Sequence, residues 1–289
     1  GVRRVIRLEQ NYRSHGNILD AANALIRHNR GRLGKNLWTA EQAGEPIRLF
    51  QAATDREEAA FIVEEVSALR REGVVLSDIA VVYRSNAQSR VLEHALFSAG
   101  LPYRVYGGMR FFERQEIKHA LAYLRLVANP EDDTALLRVI NFPARGIGAR
   151  SLEQLQEAAR QAGVSLWQAA VRRSGGGAKK GIDAFVQLIE AQREVCAGLP
   201  LSEQIEHMLA ASGLVAHYQG EKEGADRVEN LNELANAAAA FVADSEDGSL
   251  TAFLTHAALE AGEHQAATGT DALQLMTVHA AKGLEFHTV

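Results

Sequence analysis

The sequence predicts an α/β fold in which a parallel-sheet domain carries a large inserted all-α domain. Three observations predict it. From Val2 to Tyr106, short apolar strands alternate with amphipathic helical stretches, the β-α-β-α rhythm of a doubly wound domain. From Phe111 to about Glu263, nearly every segment repeats its apolar residues at helical spacing. From Ala272 to Val278 the run of a strand returns. A helical block between two strand-bearing stretches is most simply an insertion into one sheet. The expected boundaries are 1–110 and 270–289 for the sheet domain and 111–269 for the insertion, with crossings at Gly107, Gly108 and Gly269 as hinges.

The elements follow in order. Val2 to Leu8 reads as a strand, and Ser14 as the N-cap of a helix whose inner face is Ile18, Ala21, Ala22, Leu25 and Ile26. Gly31 and Gly34 end that helix. Pro46 to Ala52 reads as a second strand, since Ile47 and Leu49 alternate with Arg48 and Phe50. Asp55 caps a helix with Ala59, Ile62, Val66 and Leu69 inward. Ile79 to Tyr83 is almost continuously apolar, as a central parallel strand must be when both its faces are covered. Asn86 caps the next helix, which carries Val91, Leu92, Ala95 and Leu96, and Tyr103 to Tyr106 is a further strand. Helices then follow around Ile117–Val127, Leu136–Ile140, Leu152–Ala159, 182–197, 201–212, 228–243 and 250–261. Arg173 to Ala178 and Asp244 to Ser249 read as loops.

Bulk composition sets limits. Hydrophobic residues make up 47% of 289, enough to exclude a chain disordered by composition. The net charge of −5 gives no global nucleic-acid signature, but the first 35 residues are basic, and a local basic face can bind phosphate on an acidic chain. One cysteine, Cys196, excludes an internal disulfide framework and reads as buried packing. No apolar run is long enough to span a bilayer, and no signal peptide opens the chain, so a cytoplasmic location is expected. Both ends are expected to be cuts within a longer protein, the last just as another strand begins at His287-Thr288-Val289. The ten histidines show no metal-ligand spacing with cysteines or carboxylates, so no metal site is expected.

Several segments carry chemistry. Gln10-Asn11-Tyr12-Arg13-Ser14 and Thr277 to Phe286 each leave a strand end, where open α/β sheets place their ligands. Tyr12 offers a ring on which a base can stack, and Arg13 a planar cation for a polyphosphate. Glu285 can accept from a ribose hydroxyl, Lys282-Gly283 allows close backbone approach, and Thr277 and His279 can donate to a phosphate backbone. Each segment alone also reads as an exposed polar turn. Tyr83 to Arg90 sits at a third strand exit, with Arg84 and Asn86 placed for backbone contacts or simply for a helix start. Asn141 to Ser151 lies between two amphipathic helices. Its Gly146-Ile147-Gly148 turn can form an anion nest before a helix N-terminus, flanked by Arg138, Arg145 and Arg150. Such a helix-hairpin-helix element grips duplex phosphates without reading sequence, and an ordinary αα-hairpin is the alternative. Gly107 to Arg114 reads as an interdomain joint or a single-strand contact. No phosphate loop is present: Gly175 to Gly181 is Gly- and Lys-rich but does not fit G-x-x-x-x-G-K-[ST] and follows no strand.

Taken together, Leu8-Glu9-Gln10-Asn11-Tyr12-Arg13-Ser14, Tyr83 to Arg90, Tyr106 to Arg114, Arg145-Gly146-Ile147-Gly148 and Thr277 to Phe286 resemble, in order and spacing, the UvrD/PcrA/Rep family of superfamily-one DNA helicases. The resemblance covers essentially the whole chain. It implies an incomplete RecA-like, P-loop-NTPase-type domain, the second of two motors, with its inserted helical domain. It implies that Tyr12 stacks on adenine, Arg13 reaches the γ-phosphate, Glu285 holds the ribose, and Gln10 joins them. Thr277, His279, Lys282, Arg84 and Asn86 are implied to face single-stranded DNA. Arg145, Gly146, Ile147, Gly148 and Arg150 are implied to meet the duplex. The implied activity is ATP-dependent 3′ to 5′ unwinding, with ATP and Mg2+ as cofactors of the full-length enzyme. The implied partners are single-stranded DNA and duplex junctions, the first RecA-like domain and DNA-repair proteins, with no membrane. The family's Walker A lysine and threonine, its Asp-Glu pair, its glutamine motif and its final arginine motif are not in this chain. The chain alone is therefore expected to be inactive. A DNA- or protein-docking module without a motor, and a helicase–nuclease subunit, are the rival readings.

Overall fold

The computed structural model describes residues 6–31, 34–173, 180–222, 224–262 and 270–289. The chain forms two compact units, Gly1–Ala53 and Thr54–Val289.

In the first unit, helix α1 (Gly16–Ile26) is held by a strand-like segment rather than by a sheet. Gln10 and Trp38 form an isolated parallel bridge, with Asn11 N donating to Trp38 O at 2.7 Å and Trp38 N to Glu9 O at 3.0 Å. The Asn23 side chain is buried and acts as a substitute strand edge, donating to Leu37 O at 2.7 Å and accepting from Leu37 N at 3.0 Å. The first N–H groups of α1 are met by carbonyls, Gly16 N by Gln42 O and Asn17 N by Ala43 O, so no serine cap is needed. The N-cap residue is His15, not Ser14. Gly44 has φ +79°, and a Cβ there would lie 2.6 Å from His15 Cβ, so only glycine fits that return.

Two expectations fail here. Ile6 to Leu8 and 46–52 are not strands; Leu49 is 96% exposed. Alternation predicts a strand only where a neighbouring strand covers one face. The buried face of α1 is Leu19 and Asn23, while Ile18, Ala21, Ala22, Leu25 and Ile26 point outward. A polar side chain that completes backbone hydrogen bonds displaced the apolar stripe.

The second unit is mostly helical around a three-stranded parallel sheet. Its strands are β1 (Ala80–Tyr83), β2 (Tyr103–Val105) and β3 (Leu273–Thr277), in the order β1-β3-β2. Ala80 pairs with Gln274 and Tyr83 with Thr277; Tyr103 pairs with Leu273 and Val105 with Leu275. On the far side of β1, Ile79 bridges Thr288 in parallel, where the next strand was expected. Helices α2 (Asp55–Arg71) and α3 (Ser89–Ser98) pack on the sheet, and Ala59, Val66, Leu76, Leu92, Leu96, Tyr103, Leu273 and Leu275 form that core. Thr54 rather than Asp55 caps α2, accepting from Glu57 N at 3.1 Å. Asn86 opens a single 3-10 turn before α3, and Gln88 Oε1 reaches back to Arg84 N and Ser85 N at 2.9 and 3.0 Å.

Between β2 and β3, which are hydrogen-bonded neighbours, the chain runs through nine helices among the described residues. These are α4 (Gln115–Ala128), α5 (Asp133–Val139), α6 (Ala149–Ala162), α7 (Leu166–Arg173), α8 (Lys180–Cys196), α9 (Leu201–Ser212), α10 (Leu214–Gln219), α11 (Gly224–Asp244) and α12 (Leu250–Gly262). They bury a second core, including Ile117, Tyr123, Leu136, Ile140, Leu155, Phe185, Leu231 and Phe253, with Cys196 among its buried residues. The Gly- and Lys-rich loop from Ser174 to Lys179, and Gly269, lie outside the described residues. No described helix is long and apolar enough to cross a membrane.

A buried polar seam joins the two cores. Glu93 on α3 accepts from Ser89 Oγ at 2.6 Å and from Phe111 N at 3.0 Å. Arg114, just before α4, donates to Ser89 Oγ at 2.6 Å, to Asn86 O at 2.9 Å and to Asn230 Oδ1 on α11 at 3.0 Å. Arg90 pairs with Glu233 of α11 at 2.5 Å. Burial raises the Glu93 carboxyl above its usual range, against the pull of Arg114. Arg110, Phe111, Phe112 and Arg114 are all buried, so the stretch after Gly108 is built as a joint.

Candidate functional site

Parallel strands put the loops that follow them at one sheet edge. Here the neighbouring order β1-β3-β2 gathers three of the sequence motifs there. Val278 N donates to Tyr83 O at 2.8 Å, which sets the turn after β3 beside Arg84. That turn is tightly wound: Thr277 Oγ1 accepts from Ala280 N at 3.2 Å, Thr277 O from Ala281 N at 3.0 Å and Ala281 O from Leu284 N at 3.0 Å. Gly283 has φ +91°. His279, Lys282 and Glu285 are exposed on it, and Thr277 is half-buried at its root. After β2, Gly107 has φ +73°, and a Cβ on it would come 3.2 Å from Ala280 Cβ. Glycine therefore serves both backbone conformation and close approach at this point. Arg84 is exposed, while the Asn86 carbonyl is taken by Arg114 and by Ser89 Oγ. The structure thus brings together Arg84, Asn86, Thr277, His279, Lys282, Gly107 and Gly108 at one edge.

In the first unit, Gln10-Asn11-Tyr12-Arg13-Ser14 is an Asx turn. Asn11 Oδ1 accepts from both Arg13 N and Ser14 N at 2.8 Å. Gln10 is fixed by its bridge to Trp38, and the turn leaves the Tyr12 ring 81% exposed.

The turn between α5 and α6 is built differently from the expected nest. Asn141 Oδ1 accepts from Arg145 N at 2.9 Å and Ile147 N at 3.1 Å, so those two N–H groups face inward. Arg145 is also internal: its guanidinium donates to Val139 O, Pro143 O and Ser212 O at 3.3, 3.0 and 2.8 Å and lies over the Tyr123 and Phe185 rings. Ile147 is buried in the helical core. Gly146, at φ +72°, Gly148 and Arg150 remain exposed, and Gly148 is the N-cap residue of α6 with no side-chain cap. Arg145 and Ile147 therefore hold the turn, and Gly146, Gly148 and Arg150 form its outer face. No sequence signal marked this, because Asn141 accepts from N–H groups four and six residues on, beyond the two-residue reach of an Asx turn.

One cluster ran against the expectation of no metal-ligand grouping. His94 on α3 and His256 on α12 both direct a ring nitrogen at Glu260 Oε1, at 2.6 and 2.9 Å, and the three donor atoms lie within 4.8 Å of one another. Burial alone would raise the Glu260 carboxyl, but the hydrogen bonds from His256 and His94 outweigh it and bring it down to about 2. The readable half of this cluster was His256 and Glu260, four apart on one helical face; His94 arrives only through the fold.

Comparison with known proteins bears on the same segments. DNA helicase II of Escherichia coli strain K12 is 52% identical over 294 residues, covering 98% of this chain and 41% of that protein. DNA helicase II of Haemophilus influenzae is 49% identical, covering 98% and 40%. ATP-dependent DNA helicase PcrA of Bacillus subtilis strain 168 is 43% identical over 298 residues, covering 99% and 40%. The chain spans about two fifths of the length of these relatives. The family model described as the UvrD-like helicase C-terminal domain matches residues 6–289, and the chain belongs to that family.

Proposed function

We propose that the chain is the second RecA-like motor domain, with its inserted helical domain, of an ATP-dependent DNA helicase that moves 3′ to 5′ on single-stranded DNA in repair and replication. The motor parts are 1–110 and 270–289, and the insertion is 111–269. The observation that carries the reading is the single sheet edge shared by Arg84, Asn86, Thr277, His279 and Lys282. Exposed cations, a hydroxyl and an imidazole beside a close-packed glycine suit a sugar-phosphate backbone, which demands charge and hydrogen-bond donors rather than base recognition.

Tyr12, Gln10 and Arg13 of the first unit are assigned to the nucleotide by the family resemblance, and so, by itself, is Glu285 of the second. A ring left 81% exposed by an Asx turn, one residue before an arginine, fits a base and a polyphosphate. ATP, when bound, supplies the free energy of phosphoryl transfer; Mg2+ accompanies it, and no residue of this chain is assigned to the ion. Arg13 would stabilise charge on the terminal phosphate, and Tyr12 would orient the base. The sheet-edge loops would hold the strand, and the outer face of Gly146, Gly148 and Arg150 would meet duplex phosphates. DNA-repair proteins and the first motor domain are the partners this reading implies. Gly107 and Gly108, with Gly269, would serve as the hinge between motor and insertion.

The test uses the full-length protein. Thr277→Val and His279→Ala are expected to raise, by about tenfold, the single-stranded DNA concentration that half-saturates ATP turnover, the ~1–2 kcal/mol of one or two phosphate contacts. An unchanged DNA requirement in both variants overturns the assignment of this edge.

A further inference from the structure

We propose that His94, His256 and Glu260 form a binding site for a Zn2+-class divalent metal that ties α3 to α12. The site does not depend on the helicase reading. His256 and Glu260 are four residues apart and so project side by side from α12, while His94 reaches them from α3, in the layer that packs on the sheet. Two imidazole nitrogens and one carboxylate oxygen within 4.8 Å of one another make a compact three-ligand set. Its chemistry selects borderline ions such as Zn2+ or Co2+ over Mg2+ and Ca2+, which prefer all-oxygen shells.

The present geometry is one short step from coordination. His94 Nδ1 and His256 Nε2 stand 2.6 and 2.9 Å from Glu260 Oε1. Metal–ligand bonds of about 2.0–2.2 Å at tetrahedral angles set donors roughly 3.4 Å apart, so the His94 nitrogen has to retreat by about 0.8 Å and the His256 nitrogen by about 0.5 Å. Both histidines have the freedom to do so, with side chains 39% and 25% exposed, whereas Glu260 at 7% is the fixed member. A cavity of about 270 Å3 adjoins the cluster, lined also by Ser98, Phe241, Asp244 and Phe253. It leaves the fourth position open to water, so the site has three protein ligands and one exchangeable one. Because α3 and α12 belong to the two different cores, an ion held here cross-links them.

Co2+ serves as the probe in the full-length, tag-free protein, with Mg2+ omitted. The wild type is expected to take up one equivalent with the intense visible absorption of a four-coordinate site, and Zn2+ is expected to bleach it. His94→Gln, which keeps an amide donor beside the buried Glu260 carboxylate, is expected to weaken that binding at least tenfold while leaving the urea midpoint of the metal-free protein within a few tenths molar of wild type, and His256→Gln likewise. If the wild type shows only the faint spectrum of six-coordinate Co2+, the triad is a hydrogen-bonded ion pair and the proposal is wrong. Equal titrations of the wild type and His94→Gln overturn it as well, because the ion then sits elsewhere.

Discussion

Two arginines of the α5–α6 turn, five residues apart, have opposite jobs. Arg145 is half-buried, donates to three carbonyls and lies over two rings; Arg150 stands exposed in the first turn of α6. A guanidinium bonded to three carbonyls contributes to stability, whereas an exposed one beside a helix N-terminus is assigned to phosphate binding on the proposed reading alone. Arg145→Ala is therefore expected to cost about 1–3 kcal/mol in denaturant unfolding, since it takes the guanidinium donor from the part-buried Pro143 and Ser212 carbonyls. Arg150→Ala is expected to leave unfolding unchanged, to weaken duplex binding and to lower the salt slope of that binding by about one. The reverse pattern in the two variants would remove Arg150 from the interface. From sequence, both residues were simply cations around a glycine turn. Charge is legible in a sequence, but the direction of a side chain is decided by carbonyls that arrive from elsewhere, here Ser212, 67 residues away.

Between elements, polar side chains more than apolar stripes decide which surfaces meet. The strands at 80–83, 103–105 and 273–277 were legible because a parallel strand covered on both faces must be apolar throughout. Most helices of the second unit were legible from their spacing, but the short α7 and α10 were not. The Glu93–Arg114 seam was not, because no period marks a buried ion pair whose partners are 21 residues apart. The joint between α4 and α10 is of the same kind. His119 Nδ1 lies 2.7 Å from the Tyr218 hydroxyl, and the ring packs on Phe142. Burial, helped by the charges of Arg138, His217 and Arg227, lowers this histidine to about 4. The folded state thus favours the neutral ring. Its contribution to stability is complete above the unfolded value of about 6.5 and is lost as pH falls from there towards about 4. His119→Gln is expected to flatten the stability curve across that interval, read as the difference in urea midpoint between pH 7 and pH 5. A variant curve as steep as the wild type would place the titration elsewhere.

At the scale of the whole molecule, the proposed motor function would be distributed, with this chain supplying only certain parts of it. The sequence offered Tyr12, Arg13, Glu285 and the sheet-edge loops, but no G-x-x-x-x-G-K-[ST] loop to cradle phosphates. Catalysis of phosphoryl transfer is mostly positioning plus electrostatic stabilisation, and it requires the phosphate cradle, the metal ligands and the γ-phosphate cation together. A cation alone stabilises charge on a group that nothing else orients. The chain by itself is therefore expected to release no phosphate from ATP above the rate in buffer, with or without single-stranded DNA. Within the full-length protein, Arg13→Ala is expected to lower kcat by about a hundredfold or more, the scale of losing one preorganised charge partner. Tyr12→Ala is expected to act chiefly on KM, because stacking on a base is made equally in ground and transition states. DNA-stimulated turnover by the isolated chain would show that it carries a phosphate site of its own. An Arg13→Ala protein with wild-type kcat would show that the terminal phosphate is met by another residue.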